Sequence, residues 1–423
     1  MTAKHRFPST TPVQNIWSMR WLGAVVLALA GLACGEKSDS EPLTVKAEDG
    51  TDLPLRETTP ELQARFKEGD ALFDFTYNES DGLGPLYIRA ACSSCHQSAG
   101  KGPGAVQKMA VVEPDGVTSS EDQSALAWGH TVRPYKTAGA TQTIQAPGSA
   151  QNVKLSLRVG PAVFGRGYLE AIADSEIERM QAEQSTRTDG IHGRVNRVTY
   201  HSQPNPEQPF HTHQPGQGNL IGRFGVKARI STLDEFTADA MQGDMGITSP
   251  MRPAEPANPD GLTDDGKPGT DVDLARVNAV ADYMRLLEIP KRATPGADGP
   301  RLFAEARCSV CHVPSLQTRS DYPLAPLAGR DAPVYSDLLL HDMGTGLADG
   351  MVDESATSRE WRTAPLIGLR FFTTYLHDGR AKTLREAVLA HQGPGSEAND
   401  SLSRFQQLSS SEQSALLDFV SSL

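Results

Sequence analysis

Two runs of cysteine and histidine share one spacing: residues 92–96 read Cys-Ser-Ser-Cys-His, and residues 308–312 read Cys-Ser-Val-Cys-His. Two cysteines three positions apart can each form a thioether with a vinyl group of a haem, and the histidine that follows is then placed to ligate the iron. The alternative is a redox or zinc-binding cysteine pair. A redox pair needs no adjacent histidine, and a zinc site would have to combine both pairs. The spacing therefore predicts two covalently bound haem c groups.

The two runs use four of the five cysteines, which excludes a disulfide framework. The remaining Cys34 ends an apolar run that begins at Trp21 and follows basic residues, as in a secretory signal peptide. Small or apolar residues directly before a cysteine resemble the cleavage box of bacterial lipoproteins. We therefore expect residues 1–33 to be a signal peptide and Cys34 to be lipidated, with plain secretion as the alternative. The predicted haem-attachment residues and proximal iron ligands are Cys92, Cys95, Cys308, Cys311, His96 and His312.

Export agrees with c-type haem, which bacteria attach outside the cytoplasm. The expected location is the periplasmic side of the cell envelope, with the lipid as a membrane anchor. The chain has 423 residues and a net charge of −12, which becomes −15 without the three basic residues of the signal peptide. This charge argues against nucleic-acid binding. An acidic surface would suit a small basic redox protein as electron donor, although it serves solubility equally well.

Helices are the clearest elements around the two runs. A Thr-Pro start at Thr59, followed by apolar residues at helical spacing, predicts a helix that leads toward the first run. The same spacing predicts helices over residues 174–184 and 274–287. Ser409 and Glu412 form a capping box, which predicts a helix at the C-terminus.

The segments between these helices are shorter and more polar. Alternating apolar residues predict strands at 141–145 and 153–159, and the polar residues 34–58 are typical of a flexible tether. We predict a mainly α fold of two cytochrome c-like haem domains, residues 59–292 and 293–423, with short strands and long loops around them.

The segments that directly precede the two runs are also similar. A leucine lies six residues before the first cysteine in each case, at Leu86 and Leu302. This spacing predicts an apolar helix face that leads into each haem site. The weak internal repeat favours two haem domains of one ancestry.

Two long polar segments carry further candidate ligands. Residues 185–218 contain four histidines and are expected to form an exposed loop, with a metal site at His211 and His213 as a lesser alternative. Residues 252–273 are rich in proline, glycine and aspartate but lack the spacing of a calcium loop. They are interpreted as a solvated loop, and a bound calcium ion is the minor alternative.

Several further segments carry a resemblance to a known family. They are Gly82-Leu-Gly-Pro-Leu, Leu157-Arg-Val-Gly-Pro, Gly167-Tyr-Leu-Glu-Ala-Ile, Gly193-Arg-Val-Asn-Arg, Gly222-Arg-Phe-Gly, Gly243-Asp-Met-Gly-Ile-Thr-Ser, His341-Asp-Met-Gly, Trp361-Arg-Thr-Ala-Pro-Leu and Tyr375-Leu-His-Asp-Gly-Arg. With them, the chain resembles the bacterial di-haem oxidoreductases of the cytochrome c peroxidase superfamily, in the branch called di-haem thiol oxidoreductase-like. The resemblance implies that the N-terminal haem is the peroxide-type site and that the C-terminal haem relays electrons from a partner.

The resemblance also implies a sixth ligand for the C-terminal haem. In the superfamily this ligand lies fourteen residues after the histidine of a Tyr-x-His-x-Gly segment, and from His377 that position is His391. Leu384 and His391 lie at helical spacing, so the imidazole is expected on the haem-facing side of a helix. Relatives usually carry methionine there. Met343 is the competing ligand, and we interpret it as a packing residue; the prediction is ligation by His312 and His391.

At the N-terminal haem the expected sixth ligand is missing. Relatives place a distal histidine sixteen residues after the proximal one, where this chain has Val112, and Met109 is the nearby alternative. An open iron binds peroxide, whereas a filled one favours electron transfer. The superfamily's acid/base carboxylate precedes a methionine, which points to Asp244 and Met245 here. The alternatives are that Asp244 caps a turn and that Met245 is either core or the sixth ligand.

Together these features predict an exported di-haem c-type cytochrome oxidoreductase, peroxidase-like, that passes electrons from the C-terminal to the N-terminal haem and reduces a small oxidant such as peroxide. The tryptophan that relatives place between the haems is replaced by Val226, and Trp128 and Trp361 are expected in the core. The alternative is a non-catalytic electron-transfer protein with both haems six-coordinate. A third reading, action on thiols, finds no free catalytic cysteine.

Overall fold

The computed structural model describes residues 50–97, 102, 104–148, 152–263 and 266–423. The predicted signal peptide, Cys34 and most of the predicted tether lie outside these residues. In the part of the chain that is described, no helix combines the length and the apolar character needed to cross a membrane.

Short helices make up most of the regular structure, and the helices predicted after Thr59, over residues 174–184 and 274–287, and at the C-terminus are confirmed. Thr59 caps the first helix by accepting a hydrogen bond from the backbone N–H of Leu62, and the capping box of Ser409 and Glu412 is formed. The helices are α1 Pro60–Phe73, α2 Arg166–Ala171, α3 Asp174–Ser185, α4 Leu233–Met245, α5 Leu274–Leu286, α6 Gly299–Glu305, α7 Leu384–Leu389, α8 Asn399–Gln407 and α9 Ser410–Ser422.

The strands are short and form antiparallel pairs. The predicted strand at 153–159 is confirmed as β4, whereas the predicted strand at 141–145 is wrong, because only Ile144 pairs there, as an isolated bridge to Arg133. The strands are β1 Leu86–Tyr87, β2 Ala105–Val111, β3 Tyr135–Lys136, β4 Val153–Val159, β5 Arg197–Val198, β6 Leu220–Ile221, β7 Leu316–Gln317, β8 Asp331–Ala332, β9 Leu340–Asp342 and β10 Glu360–Arg362. The longest ribbon pairs β2 with β4, from Ala105 opposite Val159 to Val111 opposite Val153.

Two hydrophobic clusters organise the molecule. The larger one contains Phe73 of α1 and Tyr283 of α5, together with Leu316 and Leu339, which lie beyond the predicted domain boundary. The second packs α6, α8 and α9 around residues such as Phe419. Side chains from both sides of residue 292 therefore share one core, and the division into two haem domains stays a prediction.

The two approaches to the cysteine runs differ in structure. Leu302 lies in α6, as predicted, and is fully buried. Leu86 lies in β1, which pairs with β3, so the predicted helix before the first run is wrong. Gly82 and Gly84 both have positive φ there, at 98° and 112°, and such a conformation interrupts a right-handed helix.

Candidate haem sites

Both proximal histidines are held in the same way. His96 Nδ1 lies 2.6 Å from the carbonyl oxygen of Pro161, and His312 Nδ1 lies 3.1 Å from that of Tyr335. Because a carbonyl oxygen only accepts, each Nδ1 carries the proton and each Nε2 keeps its lone pair. Histidines that ligate metals are commonly fixed in this manner. Burial lowers the pKa of both imidazoles to about 4, so both are neutral at pH 7 and able to ligate iron.

The cysteines beside them fit covalent haem attachment. All four are free of disulfides, and in each run the backbone N–H of the histidine bonds to the carbonyl of the first cysteine at 3.0 Å. This turn brings two thiols and an imidazole together. Burial raises the pKa of Cys92 and of Cys308 to about 12, so both thiols are protonated at pH 7.

A cavity of about 310 Å³ adjoins the second run, within the range of roughly 300–1,000 Å³ that is usual for cofactor sites. Its wall is mainly apolar and includes Cys308, Cys311 and His312 as well as aromatic residues such as Phe303 and Phe372. A planar hydrophobic macrocycle attached to these cysteines fits this lining.

The structure brings both candidate sixth ligands to that cavity. His391 and Met343 line it together with His312. The helix predicted to carry His391 ends at Leu389, so His391 lies in the turn after α7 and not on the helix. Its Nδ1 is 2.8 Å from the carbonyl oxygen of Ala387, so its Nε2 also keeps a lone pair. After burial, the largest influence that lowers the pKa of His312 is His391, which indicates that the two imidazoles are close. Ligation by His391 rather than Met343 stays a prediction.

The segment that precedes the first run is hydrogen-bonded to the end of α4. The backbone N–H of Ile88 donates to the carbonyl of Asp244 at 2.7 Å, and that of Gly84 donates to the carbonyl of Met245 at 3.0 Å. Burial and, after it, the negative charge of Asp244 raise the pKa of Cys92. The residues predicted for the N-terminal haem site therefore do lie together.

The carboxylate of Asp244 is half-buried, and no hydrogen bond to it occurs within the described residues. The cap of α4 is Gly246 in the left-handed conformation, so a capping role for the Asp244 side chain is not supported. Burial raises the pKa of Asp244, although the positive charge of Lys108 lowers it in part. The catalytic role of Asp244 stays a prediction.

The two methionines near the first run are both buried. Met109 packs with Leu86 and Val132 in a small separate cluster, as a core residue would. Met245 belongs to the large core, against which Cys92 packs. Its role as core residue or sixth ligand stays open. His130 is exposed.

The backbone approaches the first run closely at two glycines. A Cβ at Gly104 would lie 2.4 Å from Cys95 Sγ, and a Cβ at Gly160 would lie 2.9 Å from the carbonyl oxygen of Cys95. Real Cβ atoms do not approach so closely, so these positions require glycine.

One short segment touches both sites. The carbonyl oxygen of Pro161 holds His96, while Pro161 and Ala162 also line the cavity beside the second run. Val226 lines the same cavity, and its carbonyl accepts a hydrogen bond from the N–H of Arg362 at 3.0 Å.

Several residues of this cavity were not anticipated as site residues. The ring of Trp361 stacks on that of His377, with centroids 3.6 Å apart, and Lys227 Nζ lies 4.1 Å from the Trp361 ring centroid. Trp361 is buried as expected, but Trp128 is 42% exposed and the core prediction is wrong for it. Only the position of Trp361 beside Arg362, in a segment shared with the resembling family, could have drawn attention to this stack.

A second unanticipated group surrounds His341. Candidate ligand atoms of Cys311, Asp337 and His341 lie within 4.8 Å of one another. Both ring nitrogens of His341 already face carboxylates, Nε2 at 2.9 Å from Asp337 and Nδ1 at 2.7 Å from Glu397. These ion pairs account for the cluster without a metal ion.

Of the four loop histidines, His192 and His201 are exposed as predicted, whereas His211 and His213 are less exposed than predicted. The His211 side chain is only 5% exposed. Its Nε2 donates to Asp234 at 2.9 Å, and its Nδ1 accepts from the backbone N–H of His213 at 3.2 Å. With both nitrogens engaged, His211 offers no lone pair to a metal.

The acidic residues near 252–273 also have partners in the protein. Asp271 accepts hydrogen bonds from the N–H and hydroxyl of Thr248, and Asp260 accepts one from the N–H of Thr141. Residues 264 and 265 lie outside the described chain, and the calcium ion stays a prediction.

Comparison with known proteins identifies a matching family. The model of a family described as "Di-haem oxidoreductase, putative peroxidase" matches residues 106–423, which include the second run and Asp244. No curated protein matches the chain. Among solved structures, a hydrazine synthase from Kuenenia stuttgartiensis, pressurised with xenon, is similar over 95% of this chain and 100% of that chain, at 15% sequence identity and a TM-score of 0.39.

Proposed function

The chain belongs to the di-haem oxidoreductase family, and on this premise we propose that it is an exported c-type cytochrome with two covalently bound haems that reduces peroxide. Electrons enter at the C-terminal haem and pass to the N-terminal haem. When bound, the haem irons supply the redox centres of this reaction. The observation that carries the proposal is the difference between the two sites. The neutral His391 lines one cavity with His312, whereas the carboxylate of Asp244, which has no hydrogen bond in the described chain, acts on the Cys92 thiol of the first run.

The C-terminal site fits electron entry. His312 and His391 line one cavity with their Nδ1 atoms bonded to backbone carbonyls, so each presents Nε2 as a ligand. A site with both axial positions filled by histidine transfers electrons without binding substrate. Histidine in place of methionine also lowers the reduction potential, which favours passing electrons on.

The N-terminal site fits the reaction of peroxide. Reduction of hydrogen peroxide to two molecules of water consumes two electrons and two protons. Asp244 is half-buried and without a hydrogen bond in the described chain, and burial raises its pKa. Such a carboxylate can take a proton from one peroxide oxygen and deliver it to the other as the O–O bond breaks. Asp244 is therefore the proposed general acid/base.

The segment of Pro161 and Ala162 supports electron transfer between the sites. It bonds to His96 through the Pro161 carbonyl and forms part of the wall of the second cavity. This direct connection offers a route in a chain that has Val226 where relatives place a bridging tryptophan.

Export and anchoring complete the proposal. The apolar run before Cys34 and the c-type attachment both favour a protein on the periplasmic side, lipidated at Cys34, and the acidic surface favours a small basic redox protein as electron donor. Mass spectrometry of the mature N-terminus tests the anchor. A lipid-modified Cys34 is expected, and an unmodified or missing Cys34 would contradict it.

The catalytic proposal is tested by peroxide consumption. The purified holoprotein, with two haems per chain, is mixed with a reduced small basic cytochrome and hydrogen peroxide, and oxidation of the donor is followed. Turnover that requires both peroxide and the protein is expected. Oxidation of the donor that stops after the two haems are reduced would instead favour a non-catalytic carrier. In that case Met245, a member of the core against which Cys92 packs, is the candidate sixth ligand of the N-terminal haem.

A further inference from the structure

Of the six buried arginines in the described chain, three have a carboxylate within 4.0 Å: Arg158, Arg223 and Arg285. Arg158 lies 2.7 Å from Asp349, and Arg285 lies 2.6 Å from Glu170. This is the expected pattern, because a buried charge is costly unless an opposite charge accompanies it.

Arg166 and Arg362 depart from this pattern. Their exposed fractions are 9% and 8%, and no carboxylate oxygen of the described residues lies within 4.0 Å of either guanidinium. Arg166 donates through Nε to the carbonyl of Ala162 at 2.6 Å. Arg362 donates to the carbonyls of Gly225 and Thr363 at 3.1 and 3.0 Å. Both terminal nitrogens of Arg166 and one of Arg362 are left without a partner in the described chain.

Both side chains line the cavity beside the second run. Burial and, after it, the positive charge of Arg362 lower the pKa of Arg166 to about 9. Burial lowers the pKa of Arg362 to about 10, although the negative charge of Asp337 raises it in part. Two cations that repel each other in an apolar wall are unfavourable in the protein alone. Arg133 is also buried without an ion pair, but the charges of Asp244 and Asp239 compensate it. For Arg166 no carboxylate of the described chain offsets burial in this way, and for Arg362 only the charge of Asp337 does so in part.

We propose that Arg166 and Arg362 bind the propionate carboxylates of the haem attached at Cys308 and Cys311. This inference rests on the proposed function only in that the cavity holds that haem. A haem c carries two propionates, and the planar guanidinium fork matches a carboxylate better than any other side chain. The macrocycle then occupies the apolar part of the wall, and its acidic edge supplies the anions that these two arginines lack.

The arrangement also links the propionate site to the other haem. Arg166 donates a hydrogen bond to the carbonyl of Ala162, and the carbonyl of the preceding residue, Pro161, accepts one from His96. A carboxylate on Arg166 would thus be connected to the proximal ligand of the N-terminal haem through two adjacent peptide groups. Arg166 is a positioning residue for both haems, whereas Arg362 serves the C-terminal one.

The test is a redox titration of the C-terminal haem at fixed pH in the intact holoprotein. Arg166→Gln and Arg362→Gln each remove a cation that opposes the positive charge of the oxidised iron, so each is expected to shift the midpoint potential to more negative values. Arg404→Gln makes the same charge change on the exposed side of α8 and is expected to leave the potential unchanged. Wild-type potentials in both glutamine variants, with two haems still attached, would overturn the proposal.

The lysine variants cover the case in which a glutamine variant fails to fold or to attach haem. Arg166→Lys and Arg362→Lys keep the charge but lose the planar fork. The propionate bands of the resonance Raman spectrum are expected to move in both, and unchanged bands would overturn the proposal. Neither measurement uses substrate, so a protein that fails to reduce peroxide but shows these shifts would contradict the proposed function and support the propionate site.

Discussion

The two haem sites share one attachment motif and differ in what surrounds it. The second run opens into an apolar cavity with a histidine, His391, and two arginines without acidic partners. The first run lies against glycines that allow no side chain and beside Asp244. The motif predicts where a haem is attached and which histidine ligates it. In the proposed function, residues from elsewhere in the chain decide whether the iron transfers electrons or reacts with peroxide.

The same difference explains how both properties can exist in one chain. An iron with ligands at both axial positions cannot bind peroxide, so it can receive electrons from a partner without reacting. An open iron needs a proton donor nearby and no competing ligand. The segment of Pro161 and Ala162 touches both sites and would allow the two irons to act in sequence.

Removing the acid/base group should have the largest effect. Asp244→Asn is expected to lower kcat/KM for peroxide by about 10²–10⁴-fold, the usual contribution of general acid–base catalysis, or about 3–5 kcal/mol. Asp418→Asn makes the same charge change on the exposed side of α9 and serves as the control. Peroxide turnover that is equal in the two variants would show that the first site does not owe its reactivity to this carboxylate.

Exchanging the predicted sixth ligand of the C-terminal haem should have the second-largest effect. His391→Met is expected to raise the potential of the C-terminal haem by a sizeable part of the range of about 0.8 V that axial ligands cover. The absorption band of methionine-ligated haem should appear at the same time. A spectrum and potential like those of the wild type would mean that His391 is not the ligand, and that the two sites differ for another reason.

Crowding the first site should have a moderate effect on stability. A Cβ in Gly160→Ala would lie 2.9 Å from the Cys95 carbonyl oxygen and 3.1 Å from His96 Cε1. Overpacking of this kind costs about 1–3 kcal/mol. Gly346→Ala, where nothing lies within 4 Å of the added Cβ, is the control. Unfolding in denaturant measures both, and an equal loss in the two variants would argue against tight packing around His96.

The smallest effect is expected at the competing methionine. Met343→Leu conserves volume and should cost less than about 1.5 kcal/mol, with no change in the absorption spectrum of either haem. Loss of a methionine-type band in this variant would make Met343 the sixth ligand in place of His391.

Features that depend on neighbouring residues could be predicted from the sequence. Thr59, Ser409 and Glu412 begin their helices with side-chain hydrogen bonds that lie within one turn. The turn from Cys308 to His312 is equally local. The prediction for the approach at Leu86 was wrong because apolar spacing cannot distinguish a helix from a short strand when positive-φ glycines precede it.

Features that depend on tertiary packing could not be predicted. Arg166 and Arg362 are far apart in sequence, and only the fold shows that both line one cavity and that neither has an acidic partner. The burial of His211 against Asp234 is another case, since a polar loop with many histidines is usually exposed. The family resemblance supplied the positions of His391 and Asp244, but their hydrogen bonds and exposure required the structure.

The inequality of the two irons is tested most directly by ligand binding in a half-reduced sample. The holoprotein is poised so that the C-terminal haem is reduced and the N-terminal haem is oxidised, cyanide is added, and visible absorption and electron paramagnetic resonance spectra are recorded. Cyanide binding at the N-terminal haem, with the C-terminal haem unchanged and low-spin, is the predicted result. Absence of binding at either haem in every redox state, or binding at the C-terminal haem, would contradict it.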